Sequence, residues 1–170
     1  KSLGLNDSVK LGVPRLCERL RASTDPDGSV YLDNVDVNGV IPREQGPSVW
    51  ELAVLLNSRL LDFLFKLQTV PFRGDYMSAN KQFISSLPIK LLDTDSGALQ
   101  THGQMLHRIA NEIALERKSF LGWLGDQLGA DPLSLPGKKK FLTYDAHSVS
   151  DLLALLRRSA RPIRVDPSTR

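Results

Sequence analysis

Between Leu55 and Ile89 the chain reads LLNSRLLDFLFKLQTVPFRGDYMSANKQFISSLPI. An apolar run with helical spacing leads into a turn crowded with Arg, Tyr, Asn and Lys, then into a short run stopped by Pro88. Ser48 is placed as an N-cap, with Glu51 completing a capping box. Trp50, Leu52, Val54, Leu55, Leu56, Leu60, Leu61, Leu64 and Phe65 follow at mixed spacings of three and four, which predicts one helix with a wide apolar face to about Leu67. The helix anchors the segment in a core. Residues 72–82 then gather long hydrogen-bonding side chains beside glycine and aromatics.

The residues before this helix read as β structure. In Val9–Leu20 Pro14 breaks any helix and marks an edge or bulge in a strand. Asp25-Pro26-Asp27-Gly28 is a turn signal. Val30, Leu32, Val35 and Val37 alternate, and Asn38-Gly39 reads as a second turn. The first third is therefore expected to be antiparallel β, a hairpin or meander.

After Pro88 the pattern becomes helical. The polar stretch Asp93–Gly103 predicts a boundary. Gln104–Leu128 carries Met105, Ile109, Ile113, Leu115, Phe120, Leu121, Leu124 and Leu128 at helical spacing, with Gly129 as C-cap. Asp131–Lys140 reads as a loop ending in Lys138-Lys139-Lys140, and Ser150 opens a last helix closed by Pro162. The expected fold class is α+β. Residues 1–97 form the first domain, and residues 98–170 form a helical extension packing on it, with a disordered tail near 165–170.

With 170 residues and 24% charged side chains, the chain can bury a core and has an ordinary globular composition. No apolar run approaches the roughly 20 residues that span a bilayer, and KSLGLNDSVK lacks the apolar segment of a signal peptide. The absence of an initial Met reads as part of a longer protein. Cys17 stands alone, which excludes an internal disulfide and suits a reducing cytoplasm. It reads as a small buried residue, since LCERL offers no base to activate it.

Known chemical signatures are missing. There is no P-loop, Rossmann glycine fingerprint or Ser/His/Asp signature. His102, His107 and His147 are scattered, and no His-x-x-x-His or cysteine pair has zinc-ligand spacing. Net charge is +3. Residues 1–100 hold 11 Lys/Arg against 12 Asp/Glu, and residues 101–170 hold 11 against 7. Any basic face that neutralises phosphates must be assembled by folding.

Two polar clusters are candidates for recognition. On an extended strand Arg15, Arg19 and Arg21 share a face, and a guanidinium fork suits phosphates and guanine edges. The same row is equally a solvated strand face paired with Glu18 and Asp25. In the second cluster Arg73 suits guanine, Asn80 and Gln82 suit adenine, and Lys81 suits phosphate. Gly74 permits a tight turn beside Tyr76. The alternative is a hydrogen-bonded loop whose Phe72 and Tyr76 pack on the core.

Several of these residues resemble, in order and spacing, the C-terminal specificity domain of TaqI-like adenine DNA methyltransferases and fused restriction-methylation enzymes. They are Val13-Pro14-Arg15, Tyr31-Leu32-Asp33-Asn34, the Leu56–Phe63 helix, Gly74–Tyr76, Asn80-Lys81 and Leu87-Pro88-Ile89. The similarity covers roughly residues 9–90, and the target-recognition parts of type I specificity subunits are similar more loosely. It implies a non-catalytic, cytoplasmic module of a bacterial restriction-modification system that binds double-stranded DNA. The catalytic methyltransferase domain of the same polypeptide would flip the adenine and methylate it from S-adenosylmethionine. The cofactor-binding glycine motif and Pro-Pro-aromatic motif of such a domain do not occur here, so no cofactor, metal, catalytic residue or membrane partner is expected. The expected DNA contacts are Arg15, Arg19, Arg21, Arg73, Tyr76, Asn80, Lys81 and Gln82. Asn57-Ser58 and Leu87–Ile89 are expected to be scaffold. The alternative is an interaction module docking a methyltransferase or other subunit through its helices.

Overall fold

Pro14 marks the place where the chain leaves one small sheet and enters another. The computed structural model describes residues 7–32, 35–89 and 96–158. Strand β1 (Lys10–Pro14) ends at the proline, and β2 (Leu16–Cys17) begins after a bend at Arg15. β1 is the centre of an antiparallel sheet ordered β3-β1-β4, with β3 at Ser23–Asp25 and β4 at Val37–Val40. β2 instead pairs with β6 (Tyr76–Ser78), which pairs with β5 (Pro71–Arg73). The Arg15 amide donates to the Asp36 carbonyl at 2.7 Å on the β4 side. Alternation then turns the position of the missing Pro14 N–H toward β3, whose pairing stops at Gly12↔Ser23. The proline therefore forfeits no ladder bond.

Two sequence expectations fail in this region. Residues 29–32 are not strand, and Asn38-Gly39 lies inside β4 rather than at a turn. The Asn38 side chain donates to the Ala79 carbonyl at 2.9 Å, and Gly39 pairs opposite Gly12. An Asn-Gly pair is a local signal, and here a tertiary hydrogen bond overrides it. The 25–28 turn forms as expected, with Gly28 at φ +63°. Asp33 and Asn34 lie outside the described residues.

The expected single helix is two, α1 (Val49–Leu56) and α2 (Arg59–Gln68). Ser48 and Glu51 form the expected capping box on α1. Ser58 then turns extended and caps α2, its hydroxyl accepting from Leu61 N at 3.2 Å. Asn57 is drawn out of the helix by the strand segment beside it. Its Oδ1 accepts from Ala22 N at 3.1 Å and its Nδ2 donates to Ala22 O at 2.9 Å and Ala53 O at 2.8 Å. Asp62 accepts from Leu20 N at 2.7 Å. The two side chains hold the backbone between β2 and β3 much as a neighbouring strand would. Leu11, Val13, Leu20, Leu52, Leu56 and Phe65 fill the core beneath.

Lys10 and Asp25 form a buried ion pair at 2.5 Å, with side chains 1% and 6% exposed. Asp25 also accepts from the amides of Ser29 and Val30. Burial disfavours the carboxylate, but Lys10 and the two amides outweigh it and hold Asp25 below the usual carboxylate range. The aspartate of the turn signal thus anchors both the turn and the first sheet.

α3 (Lys81–Ile84) follows β6. α4 runs from Ser96 to Leu128, so the expected boundary stretch is helical from Ser96 onward. The reason is tertiary. A Cβ on Gly103 would lie 2.3 Å from the Trp50 carbonyl oxygen, so only glycine permits this approach. One turn on, His107 hydrogen-bonds Thr24 at 2.6 Å and meets Trp50 edge-on at 5.4 Å.

The chain divides into two compact units, Lys1–Ile109 and Ala110–Arg170, and the division falls within α4. In the second unit, Phe120 stacks on Tyr144 at 4.2 Å and Arg117 pairs with Asp145 through both carboxylate oxygens at 2.9 and 2.8 Å. Leu124 and Phe141 are buried. α5 (Lys138–Leu142) places the three lysines on a short helix rather than in the expected loop. α6 (Val149–Arg158) starts after Ser148, whose hydroxyl accepts from Asp151 N at 3.2 Å. Gly129, at φ +61°, ends α4 as expected. The expected Pro162 stop and the 165–170 tail lie outside the described residues. With two small antiparallel sheets and a helical C-terminal half, the fold is α+β.

Asn57→Ala should lower stability by about 2 kcal/mol by stranding the Ala22 backbone groups, read as a shift in the urea midpoint. Gly103→Ala should lower it by about 1–3 kcal/mol, since backbone must move. The folded state binds the Asp25 proton more weakly than the unfolded chain. That stabilisation is therefore present above the unfolded pKa of about 3.9 and is lost as pH falls through the lower folded value. Asp25→Asn should cost about 3–5 kcal/mol at pH 7 and flatten the acid limb of a stability-versus-pH curve.

Candidate nucleic-acid interface

The polar turn is the tip of a β-hairpin. β5 and β6 pair through Arg73↔Tyr76 and Pro71↔Met77, with an irregularity between them. Gly74, at φ +60°, makes the reversal, and a Cβ there would meet nothing within 4 Å. Residues 71–76 are all exposed, with Phe72 at 64% and Tyr76 at 44%. The alternative, in which Phe72 and Tyr76 pack on the core, is therefore not met. β6 turns inward after the tip: Met77 is half-buried and Ser78 buried. Thr69 Oγ1 donates to the Ser78 carbonyl at 2.5 Å, and Ser78 N donates to Val70 O at 3.1 Å. The hairpin has a fixed base and an open tip.

Arg15 joins this hairpin through its backbone. Its carbonyl accepts from Ala79 N at 2.7 Å, and Leu16↔Ser78 pairing continues the contact. Asn80 and Lys81 follow directly. Asn80 starts α3, but its side chain makes no capping bond. Lys81 and Gln82 are exposed on the first turn of that helix. The backbone of Arg15 thus lies beside Ala79, from which Asn80, Lys81 and Gln82 lead on, Lys81 also lining the cleft beside β4, while Arg73 and Tyr76 stand at the hairpin tip.

The arginine row does not form as expected. Arg15 and Arg19 sit in bends and Arg21 follows without strand pairing, so alternation does not set a shared face. All three are exposed. Arg19 donates to the Asn57 carbonyl at 3.3 Å, at the end of α1. Asp25, the other expected partner of the row, is engaged by Lys10 instead. Arg21 acts electrostatically on Cys17, whose thiol burial nevertheless raises above its ordinary pKa. Cys17 is 1% exposed and fits the reading of a packed, unreactive thiol.

Sequence reasoning missed Lys10, Asn38 and His107. The signal for His107 was available, since Gly103 and His107 lie one turn apart on a single helical face. Asn38 was hidden by the turn signal it mimics. Among the described residues no group of three or more His, Cys, Asp or Glu is placed to hold a metal ion, and no helix is long and apolar enough to cross a membrane.

No family profile, curated protein or solved structure matches this chain at a significant level.

Exchanging Gly74 for alanine should cost about 1 kcal/mol through its positive φ alone, because the tip has no contact to lose. A thermal-melt shift larger than that of Gly103→Ala would contradict this geometry.

Proposed function

We propose that this chain reads double-stranded DNA, as the specificity domain of a cytoplasmic N6-adenine methyltransferase or fused restriction-modification enzyme. The observation that carries the reading is the exposed hairpin tip. Phe72, Arg73 and Tyr76 project from a base held by Thr69, Val70 and the β2–β6 pairing. A rigid β-ribbon of this kind fits a major groove, where an arginine fork can take guanine O6 and N7. Arg15, Asn80, Lys81 and Gln82 sit where they can hold phosphates or adjoining bases.

The resemblance to TaqI-like specificity domains supports the same reading from the sequence. Its shared residues Asn57, Ser58 and Asp62 act as framework, which leaves the hairpin and α3 start as the variable reading surface. Methyl transfer belongs to the catalytic domain. The resemblance places that catalytic domain elsewhere in the polypeptide, so no chemical step is proposed for this chain.

A second reading, docking of a methyltransferase or other subunit, is favoured by the outer face of α2. Leu60, Phe63 and Leu67 share it and are 67%, 59% and 69% exposed. In the second unit Leu115 and Trp123 are exposed as well. Salt separates the two readings, because phosphate contacts weaken steeply with salt and apolar docking does not.

Selection of a randomised duplex pool on the full chain at two salt concentrations should enrich a short motif. Arg73→Ala should relax one position of that motif by roughly 1–3 kcal/mol, and Lys81→Ala should weaken all sequences alike. Unchanged binding in both variants would remove the hairpin and α3 start from the interface.

A further inference from the structure

The first sheet has an open edge beside a cleft. β4 pairs with β1 on one side, and among the described residues no strand pairs on the other. Asp36 turns its carbonyl toward β1, where it accepts from Arg15. By alternation Asn38 and Val40 also face β1, while the N–H and C=O groups of Val37 and Gly39 point away from the sheet. Such a row is a template for one more strand.

The cleft of about 720 Å³ lies along this edge, among β4, the 41–47 loop, α1 and α3. Leu52, Leu56, Ile84 and Leu87 contribute apolar lining. Asn38 and Val40 pair with Val13 and Leu11, which are fully buried, so the core-facing side of β4 borders this lining. An added strand would present every second side chain to it. Among the described residues the charged ones lining the cleft are Arg43 and Lys81, both cations.

We propose that the β4 edge and its cleft bind an extended peptide by strand addition, with alternate apolar side chains entering the cleft and an acidic side chain meeting Arg43 and Lys81. Backbone pairing supplies a sequence-independent grip, and the cleft and two cations supply the selection. The apolar lining disfavours a nucleic-acid strand, whose backbone is charged throughout. The occupant is therefore a peptide with acidic residues interspersed among Val, Ile or Leu. The site uses no residue of the hairpin tip but shares Lys81 with the phosphate-holding set proposed above, so Arg43, which has no part in that set, is the rim cation that tests it apart from the DNA reading.

The test is selection of a random twelve-residue peptide display library on the full chain, followed by fluorescence anisotropy with one enriched, labelled peptide. Enriched sequences should alternate apolar residues and carry at least one Asp or Glu. Gly39→Pro removes an outward N–H and keeps the bonds to β1, while Arg43→Glu reverses one rim charge at an exposed position. Each should weaken the peptide at least tenfold, and circular dichroism should report an unchanged fold for Arg43→Glu. Changing the peptide's acidic residue to Lys should restore binding to Arg43→Glu. No enrichment would overturn the proposal. So would binding that survives Gly39→Pro while falling in Arg43→Glu, since that describes charge attraction without strand addition.

Discussion

Asn57 and Asp62 hold the first unit together by completing a backbone that has no strand to complete it. Between β2 and β3 the chain crosses from one sheet to the other, and its amides need partners. Asn57 serves Ala22 in both directions and Asp62 takes the Leu20 amide. Both side chains stand at the junction of two helices, so the same contacts fix the angle at which α2 leaves α1. That angle places Leu61 and Phe65 in the core. From α2 the chain passes through Thr69 and Val70 into the hairpin base, so the hairpin tip inherits its position from these hydrogen bonds.

Local signals survived wherever their partners lie close in sequence. The Ser48–Glu51 capping box, the turn at Asp25–Gly28 and the cap at Gly129 each formed as read. Signals failed where a distant residue competed. The helix expected through Leu67 splits because Ala22 claims the Asn57 side chain. The Asn38-Gly39 turn becomes strand because Ala79 claims Asn38. From Ser96 the polar stretch before Gln104 is helical because Gly103 lets it approach Trp50. Each competitor lies tens of residues away, and no local periodicity encodes it.

The candidate site divides along the same line. Residues 72–82 read as one polar turn, and only residues 73–76 make the hairpin turn, the rest entering β6 and α3. The arginines were not legible as a set, because their spacing was measured on a strand that Pro14 and the change of sheet interrupt. Arg15 still reaches the hairpin, through the Ala79 amide rather than through a shared strand face. Arg19 is partly spent on the end of α1. Its replacement would disturb the framework as well as any interface.

The emptiness around Gly74 bears on how such a protein changes over generations. Base and tip of the hairpin are physically separate: the base is hydrogen-bonded and half-buried, while a Cβ at the apex would meet nothing within 4 Å. Substitutions at the exposed tip positions leave the core volume untouched. The tip side chains can therefore vary by drift at little cost to the fold, and a lineage can change this surface while keeping the framework that holds it.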